Sequence, residues 1–152
     1  MLCVMILTLE GFTLPSGYLI KELTVCMDNG EMQHFHFEAP PNFYPSEMEL
    51  RTIRFANKHL NQLSLHEGNL LPYSTIDVIL QKMASNTVYV AGSAAFNLVS
   101  LKLPSTLVLD VCSLYNFKYP NELPYTSCMK RHRARYCSFS KCLFIKDFLN
   151  QV

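Results

Sequence analysis

Three of the six cysteines, one of the five histidines and the densest basic run of the chain fall between Ser127 and Phe144, which reads SCMKRHRARYCSFSKCLF. Cys128, His132 and Cys137 are spaced C-x3-H-x4-C. Thiolates and an imidazole that close together suit zinc. Three such ligands leave a tetrahedral ion one short. Cys142 is near in sequence but poorly placed. On a helix starting at Tyr136 it lies five residues beyond Cys137, roughly 140° around the axis. The fourth ligand is therefore expected from a distant part of the chain, and the ion would pin the last helix to the body of the fold. Buried cysteines beside a solvated histidine account equally well for this spacing, which is not a standard finger pattern. Interleaved with these residues are Lys130, Arg131, Arg133 and Arg135. Such a local cationic cluster suits phosphate contacts. It could equally offset the negative charge of a metal site that includes two thiolates.

The rest of the sequence must supply a frame for that segment. With 152 residues, 49% hydrophobic and 16% charged, the chain can bury one sizeable core. Residues 1–152 are read as a single domain. No apolar run reaches the roughly 18 residues of a membrane-spanning helix. The opening MLCVMILTLEGF contains Glu10 and no basic leader, so it is read as a buried strand rather than a signal peptide. Six cysteines without such a signal point to a reducing compartment, cytoplasmic or nuclear. A formal net charge of +1 implies no strong global attraction to nucleic acid.

Residues 3–9 read as a central strand, 11–17 as a loop and 18–27 as a second strand. Asp28-Asn29-Gly30 predicts a tight hairpin turn, because Asn-Gly supplies the positive φ such a turn needs. Residues 32–37 alternate, placing Met32, His34 and His36 on one face and Phe35 and Phe37 on the other. Two histidines so spaced can form a metal pair; here they are expected to line the outer face of the sheet. Ser46 with Glu49 predicts a capping box opening an amphipathic helix through Leu50, Ile53, Arg54, Asn57 and Leu60. Ser74 is expected to cap a second helix with the stripe Ile76, Ile79, Leu80 and Met83. A short strand at 88–91, a helix from Ser93 to about Leu101, a strand at 106–111, a loop over 116–127 and a helix at 136–151 complete the chain. Cys3, Cys26 and Cys112 read as small buried hydrophobes, Cys112 being a second candidate for the fourth ligand. Three strands with a hairpin, followed by helices alternating with two more strands, predict an α/β fold. The expected plan is a ribonuclease H-like mixed five-stranded sheet flanked by helices.

With that order in place, individual residues resemble the DEDD-type 3′–5′ exonucleases. Thr8-Leu9-Glu10 stands for the family's D-x-E. Ile20-Lys21-Glu22-Leu23-Thr24 is similar to its second strand, and Asn29-Gly30 and Phe37-Glu38-Ala39-Pro40 to its hairpin. Ala91-Gly92-Ser93-Ala94-Ala95-Phe96-Asn97 resembles the middle motif, Leu109-Asp110-Val111 the following strand, and Cys137 and Cys142 the final H-x4-D. The chemistry is depleted at these positions. Thr8, Asn97 and Cys142 replace acids, Cys137 replaces the histidine, and only Glu10 survives. Two hard magnesium ions would lack compensating charge, so the two-metal mechanism is expected to be absent. The same loss characterises the Maelstrom domain, which the chain resembles most. That resemblance implies a structural zinc held by Glu22, Cys128, His132 and Cys137, with Cys142 as an additional cysteine. In this chain the spacing between Cys, His and Cys departs from the family's.

The resemblance implies a zinc-stabilised, catalytically degenerate nuclease fold that binds single-stranded RNA in small-RNA silencing, with protein partners of that process. Lys130, Arg131, Arg133 and Arg135 would contact phosphates, and Tyr115, Phe117 or Tyr119 would stack on bases. A closed four-ligand zinc cannot itself activate a nucleophile. The alternatives are a metal-independent endoribonuclease drawing on Glu10, His34, His36 or Arg131, and a protein-interaction module without nucleic-acid binding.

Overall fold

A computed structural model describes residues 5–59, 70–84, 87–120, 123 and 137–152. Five strands, β1 (Met5–Leu14), β2 (Gly17–Cys26), β3 (Met32–His36), β4 (Val88–Val90) and β5 (Val108–Asp110), form one sheet in the order β3-β2-β1-β4-β5. Strands β1, β2 and β3 pair antiparallel, while β1–β4 and β4–β5 pair parallel. The helices are α1 (Glu47–His59), α2 (Thr75–Gln81), α3 (Ser93–Lys102), α4 (Val111–Tyr115) and α5 (Ser138–Gln151). A mixed five-stranded sheet flanked by helices is consistent with the ribonuclease H-like arrangement expected from the order of elements.

Side-chain alternation divides the sheet into two faces. Met5, Leu7, Leu23, Val25, Val88, Val90 and Val108 pack with Ile76, Ile79 and Leu80 of α2 and Val99 of α3. Ile6, Cys26 and Tyr89 face the other way and meet Cys142, Ile145 and Leu149 of α5. A third cluster joins Phe12, Leu14 and Leu19 to Ile53 and Ala56 of α1.

Several boundaries differ from those read in the sequence. The first strand continues through Gly11–Leu14, where a loop was expected, and pairs with β2 across a two-residue turn. The continuation needs a bulge. Glu10 faces Glu22 while Gly11 faces Ile20, so Lys21 is the extra residue. A Cβ on Gly11 would collide with the Leu19 carbonyl, so the bulge depends on that glycine. The strand expected over 106–111 narrows to three residues, and α4 follows it directly, opened by Asp110, whose side chain accepts from the Cys112 amide. The last helix starts at Ser138, after an extended Cys137 at its N-cap; Tyr136, where it was expected to start, lies outside the described residues.

The capping box is present. Ser46 Oγ accepts from the Glu49 amide and Glu49 Oε1 from the Ser46 amide, both at 3.1 Å. The inward residues of α1 are Glu49, Ile53 and Ala56, whereas Arg54 is exposed; Leu60 lies outside the described residues. Ser74 precedes α2 but makes no side-chain cap, its backbone already being helical. The stripe Ile76, Ile79, Leu80 and Met83 is buried as expected.

Candidate metal centre

The hairpin turn between β2 and β3 decides which residues meet. Gly30 adopts φ 89°, and the turn closes with Gly30 N donating to Met27 O at 2.9 Å. The resulting register sets Glu22 opposite His36 and Thr24 opposite His34, while β1 sets Glu10 opposite Glu22 and Thr8 opposite Thr24. On the α5 side of the sheet this produces three rows across three strands: Glu10–Glu22–His36, Thr8–Thr24–His34 and Ile6–Cys26–Met32. The last row belongs to the apolar cluster beneath α5. The first two are polar and lie under its first turns.

Glu22 is fully buried, and each of its oxygens is engaged. Oε1 accepts from the Ser138 amide at 2.6 Å and the Ser138 hydroxyl at 2.7 Å. The carboxylate thus satisfies a backbone donor at the α5 N-terminus, where negative charge is favoured. Oε2 lies 2.9 Å from His36 Nε2 and 3.7 Å from His34 Nε2. Ligand atoms of Glu22, His34 and His36 all fall within 4.8 Å of one another, so the three can hold a metal ion. The imidazoles meet edge to face, with centroids 4.6 Å apart, and Phe139 closes against His34.

Around this triad the polar groups form a continuous network. Thr24 Oγ1 lies 2.5 Å from His34 Nδ1 and 2.8 Å from Ser138 Oγ. Thr8 Oγ1 donates to Ser138 O at 2.6 Å. Lys141, one turn along α5, donates to Glu10 Oε2 at 2.6 Å.

The expected zinc ligands divide between described and undescribed residues. Glu22 stands at the start of α5, and Cys137, buried, is the N-cap residue immediately before Ser138. Cys128, His132, Lys130, Arg131, Arg133 and Arg135 lie outside the described residues. Among the described residues, the histidines of β3 join Glu22, and Cys137 is not part of that three-residue group. Cys112 is half-buried on α4, where burial and the neighbouring Asp110 push its thiol pKa up. Of the positions expected to correspond to the exonuclease acids and histidine, Thr8 and Glu10 are tied to α5 through Ser138 and Lys141. Cys142 lies on the buried, sheet-facing side of that helix, and desolvation drives its thiol pKa strongly upward. Asn97 is exposed on α3, whose Val99 packs on the opposite face.

The aromatic residues expected to stack on bases require a correction. Phe117 is 4% exposed, with its ring against Tyr119, Phe144 and Phe148. The chain after α4 folds under α5, because the apolar side of that helix needs cover. Tyr119 is half-buried in the same cluster, and Tyr115 remains exposed.

Comparison with family models, curated proteins and solved structures finds no match. Among the described residues, no helix is long and apolar enough to cross a membrane.

Proposed function

We propose that the chain is a catalytically degenerate, Maelstrom-like exonuclease-fold domain, stabilised by a structural zinc ion at Glu22, that binds single-stranded RNA. The observation carrying this reading is the fate of the depleted acid positions. Thr8 spends its hydroxyl on the Ser138 carbonyl, and Glu10 is paired with Lys141. A cluster able to hold two magnesium ions needs several carboxylates; here the surviving acid is neutralised by an ammonium group. Glu22 accepts from Ser138 at the start of α5, directly after Cys137 in sequence, which supports a metal ion that ties this strand to the last helix.

RNA would be held by Lys130, Arg131, Arg133 and Arg135, which immediately precede the anchored start of α5. The test is a titration of labelled single-stranded RNA against salt, followed by fluorescence anisotropy. The parent should bind with a steep salt dependence. Replacing Arg131, Arg133 and Arg135 by Ala should weaken binding broadly and flatten the slope by about 2, at roughly 0.7 for each phosphate no longer neutralised. A triple variant that binds as well as the parent would reject the RNA assignment. A protein-interaction module would then take its place, favoured by the exposed Tyr44, Met48 and Phe55 on and beside α1. Magnesium-dependent trimming of RNA from its 3′ end would reject the degenerate assignment.

A further inference from the structure

We infer that a zinc-class divalent ion is held by Glu22 Oε2, His34 Nε2 and His36 Nε2, with its fourth position open to an exchangeable oxygen ligand. This rests on the metal at Glu22 proposed above, but it assigns different companions to Glu22 and leaves one tetrahedral position to a ligand from outside the chain.

Distance is the first support. Ligands about 2.0–2.1 Å from a tetrahedral zinc ion lie about 3.3 Å from each other. The two Glu22–imidazole separations, 2.9 and 3.7 Å, bracket that value. Each ligand comes from a strand in fixed register, so the triangle is set by backbone pairing rather than by loop conformation.

The hydrogen-bond directions give the second support. An ionised carboxylate only accepts, so Ser138 Oγ donates to Glu22 Oε1. Having spent its proton there, Ser138 Oγ accepts from Thr24 Oγ1. Thr24 in turn accepts from His34 Nδ1, which therefore carries the ring proton. That tautomer turns the His34 Nε2 lone pair toward the Glu22 Oε2 side of the triad. Two electron-rich atoms facing one another are stabilised by a cation between them. Metal-binding histidines are usually held in this way, fixed through Nδ1–H with Nε2 presented to the ion.

Charge is the third. Glu10 and Glu22 are both buried and stand directly opposite one another on β1 and β2. Like charges in that position are unfavourable. Lys141 neutralises one of them. A divalent ion bound by the Glu22 carboxylate and two imidazoles would carry one net positive charge. Two thiolates and a carboxylate around the same ion would leave one negative charge. Three protein ligands leave one position of a tetrahedral zinc ion unfilled, and the positive centre would draw an oxygen anion or water into it; the His34 and His36 side chains are 13% and 10% exposed, against 0% for Glu22. Two nitrogens and one oxygen suit zinc better than calcium or magnesium.

The full chain, stripped of metal and titrated with Co(II), tests the assignment by absorption spectroscopy. One equivalent should bind and give visible ligand-field bands without a near-ultraviolet thiolate charge-transfer band. Inorganic phosphate should shift those bands by entering the open position. His34→Gln and His36→Gln should each abolish stoichiometric binding, and Thr24→Val should weaken it about 10-fold. Cys128→Ser and Cys137→Ser should leave the spectrum unchanged. Should a histidine variant not fold, X-ray absorption of the unmodified zinc protein decides, with a nitrogen and oxygen shell expected. A thiolate band, or sulfur in that shell, overturns this ligand set and leaves the cysteine-containing site standing. Bands insensitive to phosphate overturn the open position. No stoichiometric binding of either metal overturns both sites, while the RNA titration is judged separately.

Discussion

Buried carboxylates on one face of this sheet are each matched to a partner of different kind. Glu10 has an ammonium group, and Glu22 has the first turn of α5 on one oxygen and two imidazoles on the other. Leaving either charge uncompensated would cost several kcal/mol, which explains why Lys141 and Ser138 both sit at the α5 entrance. A third acid, Glu49, shows the same logic at the rim. The Ser16 hydroxyl, at 2.5 Å, and the Ser46 amide hold its carboxyl below the ordinary carboxylate pKa. A carboxyl with a lowered folded pKa adds stability above its unfolded value, and that increment disappears as pH falls through the folded value. Thermal melts of the parent and Glu49→Gln should therefore differ near about pH 7 and draw together as pH falls below the ordinary carboxylate value of about 4.3. A difference that persists unchanged in acid would show that the charge is irrelevant. Glu22 entered the sequence reading only through resemblance, because an isolated strand glutamate carries no signal of its own. His34 and His36 were legible as a same-face pair. Their meeting with Glu22 was not read, since it depends on pairing across two strands.

At the scale of elements, that pairing is governed by one turn. Asp28-Asn29-Gly30 was readable, and it fixes Cys26 opposite Met32, hence Thr24 opposite His34 and Glu22 opposite His36. A one-residue slip would send both histidines to the other face. What local patterns could not reveal was set by distant contacts. Gly11–Leu14 resembles a loop because Gly11 and Pro15 punctuate it, yet it is strand because β2 lies alongside. The α4 turn is too short for periodicity to register, and Phe117 is buried only because α5 lies over it. Gly11 offers a direct test of this long-range dependence. Gly11→Ala drives a methyl group into the Leu19 carbonyl, so the bulge must shift, at a cost of about 1–3 kcal/mol. Denaturant unfolding should show that loss, with weaker hydrogen-exchange protection in β1 and β2 around the bulge. A variant as stable as the parent would mean the hairpin relaxes freely there.

Over the whole molecule, α5 is the element on which the polar and apolar halves of the sheet both depend. Its first turn is held by Glu22 and Thr8, and its later turns by Cys142, Ile145 and Leu149 against Ile6, Cys26 and Tyr89. A metal ion at Glu22 would orient the same carboxylate that receives the Ser138 amide, so metal binding and α5 docking would be coupled through one side chain. Because the three strand ligands come together only when β2 and β3 pair, an ion held by all of them stabilises the folded state alone. At free zinc about 100 times the dissociation constant, the added stability is about 2.7 kcal/mol, or about 5–10 °C in melting temperature for a chain of this size. Melts with zinc and with a chelator should differ by that amount for the parent. Glu22→Gln keeps the shape and an acceptor for Ser138 but removes the charged ligand, so its melting temperature should barely respond to zinc. Hydrogen exchange at the start of α5 should slow on zinc addition in the parent alone. Equal zinc shifts in the parent and Glu22→Gln would place the stabilising ion elsewhere and uncouple it from this helix.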